Sequence, residues 1–256
     1  MNESVAIVTG ASQGIGRATA IRLASDFKCV VLAARQAEAL QETAKAVKSA
    51  GAEPLVLALD LREPDAAKTL VSRTLEKFSR IDALLNIAGA VPQIDILEMT
   101  DAQWDDGMAL KLHGARRTTI HAWEALKKTK GSVVFMSGNS GEAPKSAFAA
   151  VATVNAAIVA MAKAFAERGI KDGVQVNSVL PGPVFTNRRR TYMEKYAPLH
   201  NMTVEEALEK FPSEAGITRY GQPEDIAHLM AFLVSPAGKW MTGSAVRMDG
   251  GEIKGI

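Results

Sequence analysis

The sequence predicts an α/β fold, a doubly wound parallel sheet of about seven strands with helices on both faces. Three observations lead there. Short apolar runs alternate with longer helical stretches along all 256 residues. Several of the short runs are continuous in β-branched residues and leucine, without the alternation of a strand that is wet on one face. A glycine cluster, "VTGASQGIGRA", falls between the first strand and the first helix, where such sheets bind ligands.

The strand-like runs are "SVAIVT" (4–9), "CVVLAA" (29–34), "PLVLAL" (54–59), "DALLNI" (82–87), "SVVFMS" (132–137), "VQVNSVL" (174–180) and "SAVRMD" (244–249). Helical patterns fill 14–26, 36–50, 64–79, 101–128, 146–168 and 223–234. No linker, low-complexity segment or internal repeat interrupts this order, so residues 1–256 are expected to form one domain. One stretch breaks the rhythm. Residues 183–218 carry "RRR", two tyrosines and the polar helical run "TVEEALEKFPSE". An insertion of that length beyond a strand end is expected to be a substrate lid, with a disordered loop as the alternative.

Composition narrows the function. Apolar residues make up 47% and charged residues 23%, as in soluble globular proteins. A net charge of +2, with no basic stretch interleaved with aromatics, gives no reason to expect nucleic acid. Cys29 is the only cysteine, which excludes an intrachain disulfide and a cysteine metal cluster, and no metal is expected. The apolar pattern begins at Ser4, leaving no room for a charged leader, and no apolar run approaches the ~18 residues of a membrane span. The expectation is a cytoplasmic protein that engages neither nucleic acid nor membrane.

Gly10, Gly14 and Gly16 give the first turn its chemistry. Such a turn lets backbone approach a pyrophosphate, and the helix N-terminus behind it supplies N–H donors and a positive dipole end. The spacing is G-x-x-x-G-x-G rather than G-x-G-x-x-G, and the strand–turn–helix context favours a phosphate cradle over a merely tight connection.

Here the chain resembles the short-chain dehydrogenase/reductases, and the resemblance runs through essentially every segment. "TGASQGIG" resembles the family's cofactor turn, "NIAG" (86–89) its N-x-A-G motif and "VNSVLPGPVFT" (176–186) its Pro-Gly nicotinamide loop. "GQPEDIA" (221–227) and "MDGG" (248–251) resemble its C-terminal signatures. The resemblance implies a dinucleotide-binding Rossmann fold, a homodimer or homotetramer, and a small-molecule substrate. The cofactor-binding residues it implies are Gly10, Ser12, Gln13, Gly14, Ile15, Gly16, Arg35, Asp60, Leu61, Asn86, Ala88, Gly89, Asn155, Pro181, Gly182, Val184 and Thr186. Family members that prefer NAD usually carry an Asp at the end of the second strand, where this chain has Ala34 followed by Arg35. A guanidinium pairs well with a 2′-phosphate, so NADP is expected, with NAD the alternative.

The family's catalytic group is an Asn, Ser, Tyr and Lys set, in which the tyrosine exchanges the proton while hydride moves to or from nicotinamide. Similarity of "GSVVFMSGNSG" to the family's serine strand puts Gly138 at the serine. Thirteen residues on, Val151 stands for the tyrosine, and four further Asn155 stands for the lysine. "WDDGMALKLHG" places Lys111 at the asparagine. By this reading the chain is an atypical member that lacks the set, with Lys and Asn exchanged. No Y-x-x-x-K occurs in the chain.

Lys111 and Asn155 are therefore the expected catalytic pair, expected to meet in one hydrogen-bond network. The ordinary alternatives are a lysine stem snorkelling to water and an amide capping nearby backbone. Ser140 is a substitute donor from the loop, and Ser137 is expected to turn to the opposite face. Tyr192 is a weaker proton-donor candidate from the lid, beside Tyr196; both are more often packing residues. His113 and His121 are read as structural. Arg188, Arg189 and Arg190 offer a clamp for an anionic substrate or for cofactor phosphates, against the usual reading of a solvated charge run.

The function expected is an NAD(P)-dependent oxidoreductase acting on a small carbonyl or alcohol through a rearranged site. A catalytically silent NADP(H)-binding sensor or structural subunit is the alternative, and a lyase or isomerase using Lys111 is the third.

Overall fold

The computed structural model describes residues 4–255; the outermost positions of the 1–256 domain reading, 1–3 and 256, lie outside the described residues. Seven strands form one parallel sheet: β1 (Val5–Thr9), β2 (Cys29–Ala34), β3 (Glu53–Ala58), β4 (Ala83–Asn86), β5 (Ser132–Met136), β6 (Gln175–Pro181) and β7 (Ala245–Met248). Their order is β3-β2-β1-β4-β5-β6-β7, so the chain reverses its winding between β1 and β4. In open α/β sheets a crevice opens at that point, outside the carboxyl ends of the strands.

The central strands are largely apolar because their side chains meet a helix layer on either face, whereas the outer strands β3 and β7 are partly exposed. In β1, Val5 and Ile7 enter one core cluster while Ala6 and Val8 enter the other. In β2, Val31 and Ala33 face the first, and Val30 and Leu32 the second. The second layer holds α1 (Gly14–Leu23), α2 (Ala37–Ser49) and α9 (Pro223–Val234). The first holds α3 (Ala66–Phe78), α5 (Ala115–Thr129) and α6 (Ala149–Asp172). Fully buried Phe135 stacks on Phe165 with centroids 5.8 Å apart, tying β5 to α6. Burying side chains of that size stabilises by about 1.5–3 kcal/mol each.

The helix expected over 101–128 is three pieces. It begins as α4 (Asp101–Met108), with Thr100 and Gln103 forming a reciprocal cap. A π-helical turn, Ala109–Gly114, follows before α5. Widening a turn from i→i−4 to i→i−5 hydrogen bonds advances the face, and π-turns are often found at functional sites. Here Leu110, Lys111 and Gly114 are the residues turned inward.

The segment 183–218 contains two helices where one was expected, α7 (Asn187–Leu199) and α8 (Val204–Glu214). Each begins on a threonine cap, Thr186 accepting from the Arg189 amide and Thr203 from that of Glu206. They share a small core of their own around Met193, Ala197, Ala207 and Tyr220.

The expectation that no segment is long and apolar enough to cross a membrane needs correction. By length and composition alone, Ser146–Asp172 is such a segment. Counting uninterrupted apolar runs misses it because Thr153, Asn155 and Lys163 break the run. One face of α6, with Ala150, Val154, Ile158, Ala162 and Ala166, packs into the core cluster shared with β5 and β6. The opposite face exposes Lys163, Glu167, Arg168 and Lys171.

Candidate active site

A cavity of about 1050 Å³ opens at the carboxyl ends of the strands. Its floor is the β1–α1 turn. Gly10 adopts φ +71°, a left-handed conformation that L side chains rarely take. A Cβ on Gly16 would sit 2.1 Å from the Gly10 carbonyl oxygen, so only glycine lets α1 approach the turn so closely. Gln13 precedes α1 without capping it by its side chain, and the first turn has no acidic residue. Gly14, Ile15 and Gly16 line the cavity there, presenting uncapped backbone N–H groups and the positive end of the helix dipole. That cradle suits a phosphate.

Ser12, Gln13, Leu61, Ala88, Gly89, Pro181, Gly182 and Thr186 also line the cavity. At the end of β2, Arg35 lies 3.8 Å from Asp60, a loose pair that leaves its side chain 60% exposed on the cavity wall. Asp60 accepts from the Arg62 backbone N–H at 3.0 Å, which fixes its position. Two positions expected at the cofactor do not line the cavity. Asn86 lies within β4, is 4% exposed, and donates to Thr119 on α5 at 3.0 Å. Val184 is buried in the core beside α9, and its backbone forms a β-bridge with Gly221.

Lys111 enters the same cavity from the π-turn. Its stem lies against Gly89, where an added Cβ would be 3.0 Å from Lys111 Cδ. The residue is 8% exposed, and its Nζ donates to the Ser137 carbonyl at 2.9 Å and to Asn155 Oδ1 at 2.5 Å. Asn155 Nδ2 donates to Ser140 Oγ at 2.9 Å. Ser137 Oγ points the other way and donates to the Asn155 carbonyl at 2.8 Å. The Lys111 stem does not snorkel to bulk water, and among the described residues no carboxylate is bonded to its ammonium. Burial, and secondarily the Arg188 charge, lowers its pKa from 10.5 to about 7.

Gly138 makes this arrangement possible. A Cβ there would lie 2.6 Å from Asn155 Nδ2, so any side chain at 138 would push the amide out of its place between Lys111 and Ser140. Val151, one turn before Asn155 on α6, lines the cavity beside them.

Another part of the cavity lining is aromatic and basic. Phe148, Tyr192, Tyr196 and Phe211 line it together with Arg188 and Arg189. Tyr192 packs on Phe148 and Tyr196, with centroids 5.6 and 5.9 Å away, and burial raises its phenol pKa. Arg190 points away, toward Glu205. His113 has an Nδ1 with no hydrogen-bond partner among the described residues and a pKa lowered by burial. It is not among the residues lining this cavity.

A family profile described as enoyl-(acyl carrier protein) reductase matches residues 10–252, nearly the whole chain. The chain belongs to the short-chain dehydrogenase/reductase family. Among its relatives, a 3-oxoacyl-[acyl-carrier-protein] reductase of Synechocystis is 32% identical, covering 99% of this chain and 98% of that protein. A putative ketoacyl reductase of Streptomyces coelicolor is 30% identical, covering 98% and 97%. In structure, this short-chain dehydrogenase/reductase is similar to L-sorbose reductase of Gluconobacter frateurii complexed with NADPH and L-sorbose. That pair gives a TM-score of 0.93, 27% identity and full coverage of both chains. It is likewise similar to a variant of actinorhodin polyketide ketoreductase with NADPH, with a TM-score of 0.93 and 29% identity over 98% and 97%. The glycine turn, Asp60 and the Pro-Gly loop thus belong to an oxidoreductase of this family.

Proposed function

We propose that this oxidoreductase works on a small carbonyl or alcohol with Lys111, rather than a tyrosine, exchanging the proton. The observation that carries the reading is the Lys111 amine, buried in the cavity with two acceptors and, among the described residues, no carboxylate bonded to it. In its neutral form the amine donates its two hydrogens to Ser137 O and Asn155 Oδ1 and keeps a free lone pair. Protonated, it makes the same two bonds and has one N–H left for a substrate oxygen. Both states are therefore satisfied in place, and a pKa of about 7 lets either be populated near neutrality.

Gly14, Ile15 and Gly16 would hold the pyrophosphate of a dinucleotide, Asp60 its adenine end, and Pro181, Gly182 and Thr186 its nicotinamide side. Arg35 has a fork free for a 2′-phosphate, which favours NADP over NAD. When bound, NADP(H) supplies or accepts the hydride. Asn155 orients the Lys111 amine through Oδ1 and is itself fixed by Ser140, so Asn155 and Ser140 are positioning residues. Tyr192 remains a wall residue in this reading, since burial raises its pKa. The usual Asn, Ser, Tyr and Lys set is, by this proposal, replaced by Lys111, Gly138, Val151 and Asn155.

The test is Lys111→Met, which keeps the stem's bulk. NADPH affinity and NADPH-dependent reduction of a panel of ketones and aldehydes are measured for wild type and variant. Turnover is expected to fall about tenfold or more, as for one lost charge-assisted hydrogen bond in the transition state. Asn155→Ala is expected to lower the same rate, with the double variant losing less than the product of the two. A wild type that binds NADPH and reduces nothing, with an unaltered Lys111→Met protein, returns the chain to a silent dinucleotide binder.

A further inference from the structure

Arg189 stands in α7 with its guanidinium carbon 4.8 Å from the Phe211 ring centroid, 5.5 Å from Tyr192 and 5.9 Å from Tyr220. Aromatic rings attract the flat faces of a guanidinium but satisfy none of the N–H groups at its edge. Among the described residues the Arg189 side chain has no ion pair and no hydrogen bond, whereas Arg190 next to it pairs with Glu205. Glu252, the carboxylate that acts on Arg189 from a distance, is bonded at 2.5 Å by Asn139 Nδ2 instead. Among the described residues Arg188 reaches only carbonyls, Gly89 O at 3.4 Å and Val91 O at 2.9 Å. Its remaining surface is open, and it lines the cavity.

Lys111, Arg188 and Arg189 thus line one cavity, and neither Glu214 nor Glu252, carboxylates that also line it, is bonded to any of the three among the described residues. Each arginine has its pKa lowered by the protein around it, and Arg188 feels Arg189 as Lys111 feels Arg188. Like charges gathered along one cavity repel one another, and a ligand of opposite charge relieves that repulsion. The dinucleotide's phosphates have their own places, at the N-terminus of α1 and at Arg35. Arg189 is held by rings from α7, α8 and the segment after α8, and lines the same cavity as Lys111. The apolar rings beside it suit an organic body attached to the anion.

We propose that Arg189, with Arg188 beside it, binds an oxyanion of the substrate, a carboxylate or a phosphate, and so fixes the substrate's carbonyl toward Lys111. The inference rests on the oxidoreductase reading given above and adds the substrate's charge to it. The arginine fork supplies parallel N–H groups to two oxygens of one anion, and the rings hold the fork in plane.

Three probes that share a phenyl ring separate the possibilities: phenylpyruvate, phenyl phosphate and neutral phenylacetone. Each is titrated by calorimetry into wild type, Arg189→Gln and Arg189→Lys, with and without NADPH. At least one anion is expected to bind about tenfold or more tightly than phenylacetone, the preferred anion identifying carboxylate or phosphate. Arg189→Gln is expected to abolish that preference while leaving NADPH affinity within about twofold of wild type. Arg189→Lys, which keeps the charge without the fork, is expected to fall between and guards against a collapsed cage in the glutamine variant. Anions that bind no better than phenylacetone, or do not bind, overturn the proposal. So does Arg189→Gln weakening NADPH as much as the probes, which would make the cofactor's phosphates the ligand. Failure of wild type to bind NADPH would instead sink the oxidoreductase reading, and the anion preference would still be read on the protein alone.

Discussion

Lys111 in the folded chain holds its proton less firmly than a free lysine, because its Nζ has lost water and faces Arg188. The sign of the consequence for stability is fixed. Between about pH 7 and 10.5 the unfolded chain binds the Lys111 proton and the folded chain does not, so stability rises with pH across that window. Below about 7 both states are charged, and the full cost of keeping the ammonium in the cavity is present. Lys111→Met removes this term. Denaturant unfolding of wild type and variant at a series of pH values should show the variant's relative advantage greatest below pH 7 and declining as pH rises toward 10.5. A difference that is flat in pH would mean that the amine titrates as if in water. Little of this was legible in the sequence. Reading Lys111 and Asn155 as an exchanged pair pointed to their meeting, but the carbonyl of Ser137 and the side-chain-free space at Gly138 that lets Asn155 in are properties of the packed site.

At the scale of elements, the strands and the first turn were readable because their signals are local. A strand covered on both faces has to be apolar continuously, and a turn that must take φ +71° and then admit a helix at contact distance has to be glycine. The π-turn and the first helix of the 183–218 segment were not readable. The former depends on how Gly114 seats against Leu61, and the latter on a core assembled from Met193, Ala197, Ala207 and Tyr220 across two helices and a loop. The turn also yields a test. Gly16→Ala would set a Cβ 2.1 Å from the Gly10 oxygen, and backbone on both sides leaves α1 only the option of moving away. Stability should drop by about 1–3 kcal/mol from overpacking. NADPH affinity should drop further than stability explains, because the displaced N–H groups are those that would meet the pyrophosphate. Calorimetry at a temperature where the variant remains folded separates the two, and an unchanged NADPH affinity would remove the α1 N-terminus from the cofactor site.

Over the whole molecule the charges nearly cancel, at a net +2, yet the cavity gathers cations at both ends. Lys111, Arg188 and Arg189 stand at one end and Arg35 at the other, with the α1 N-terminus between them. A dinucleotide with a 2′-phosphate is the longer anion, and only its adenosine end reaches β2. Arg35 has no tight partner to give up: Asp60 is 3.8 Å away and is held independently by the Arg62 backbone. Pairing with a 2′-phosphate therefore costs the protein no existing hydrogen bond. It adds charge-assisted ones, each worth about 1.5–3 kcal/mol where water is excluded and less at a site this open. Arg35→Ala should weaken NADPH binding by about tenfold and leave NADH binding nearly unchanged, since NADH carries no phosphate there. Because the pair is exposed, the NADPH preference should also shrink as salt is raised from 0.05 to about 0.5 M, through screening over a few ångströms. Equal affinity of the wild type for the two cofactors, or an equal loss of both in Arg35→Ala, would show that the adenosine end is read by Asp60 alone.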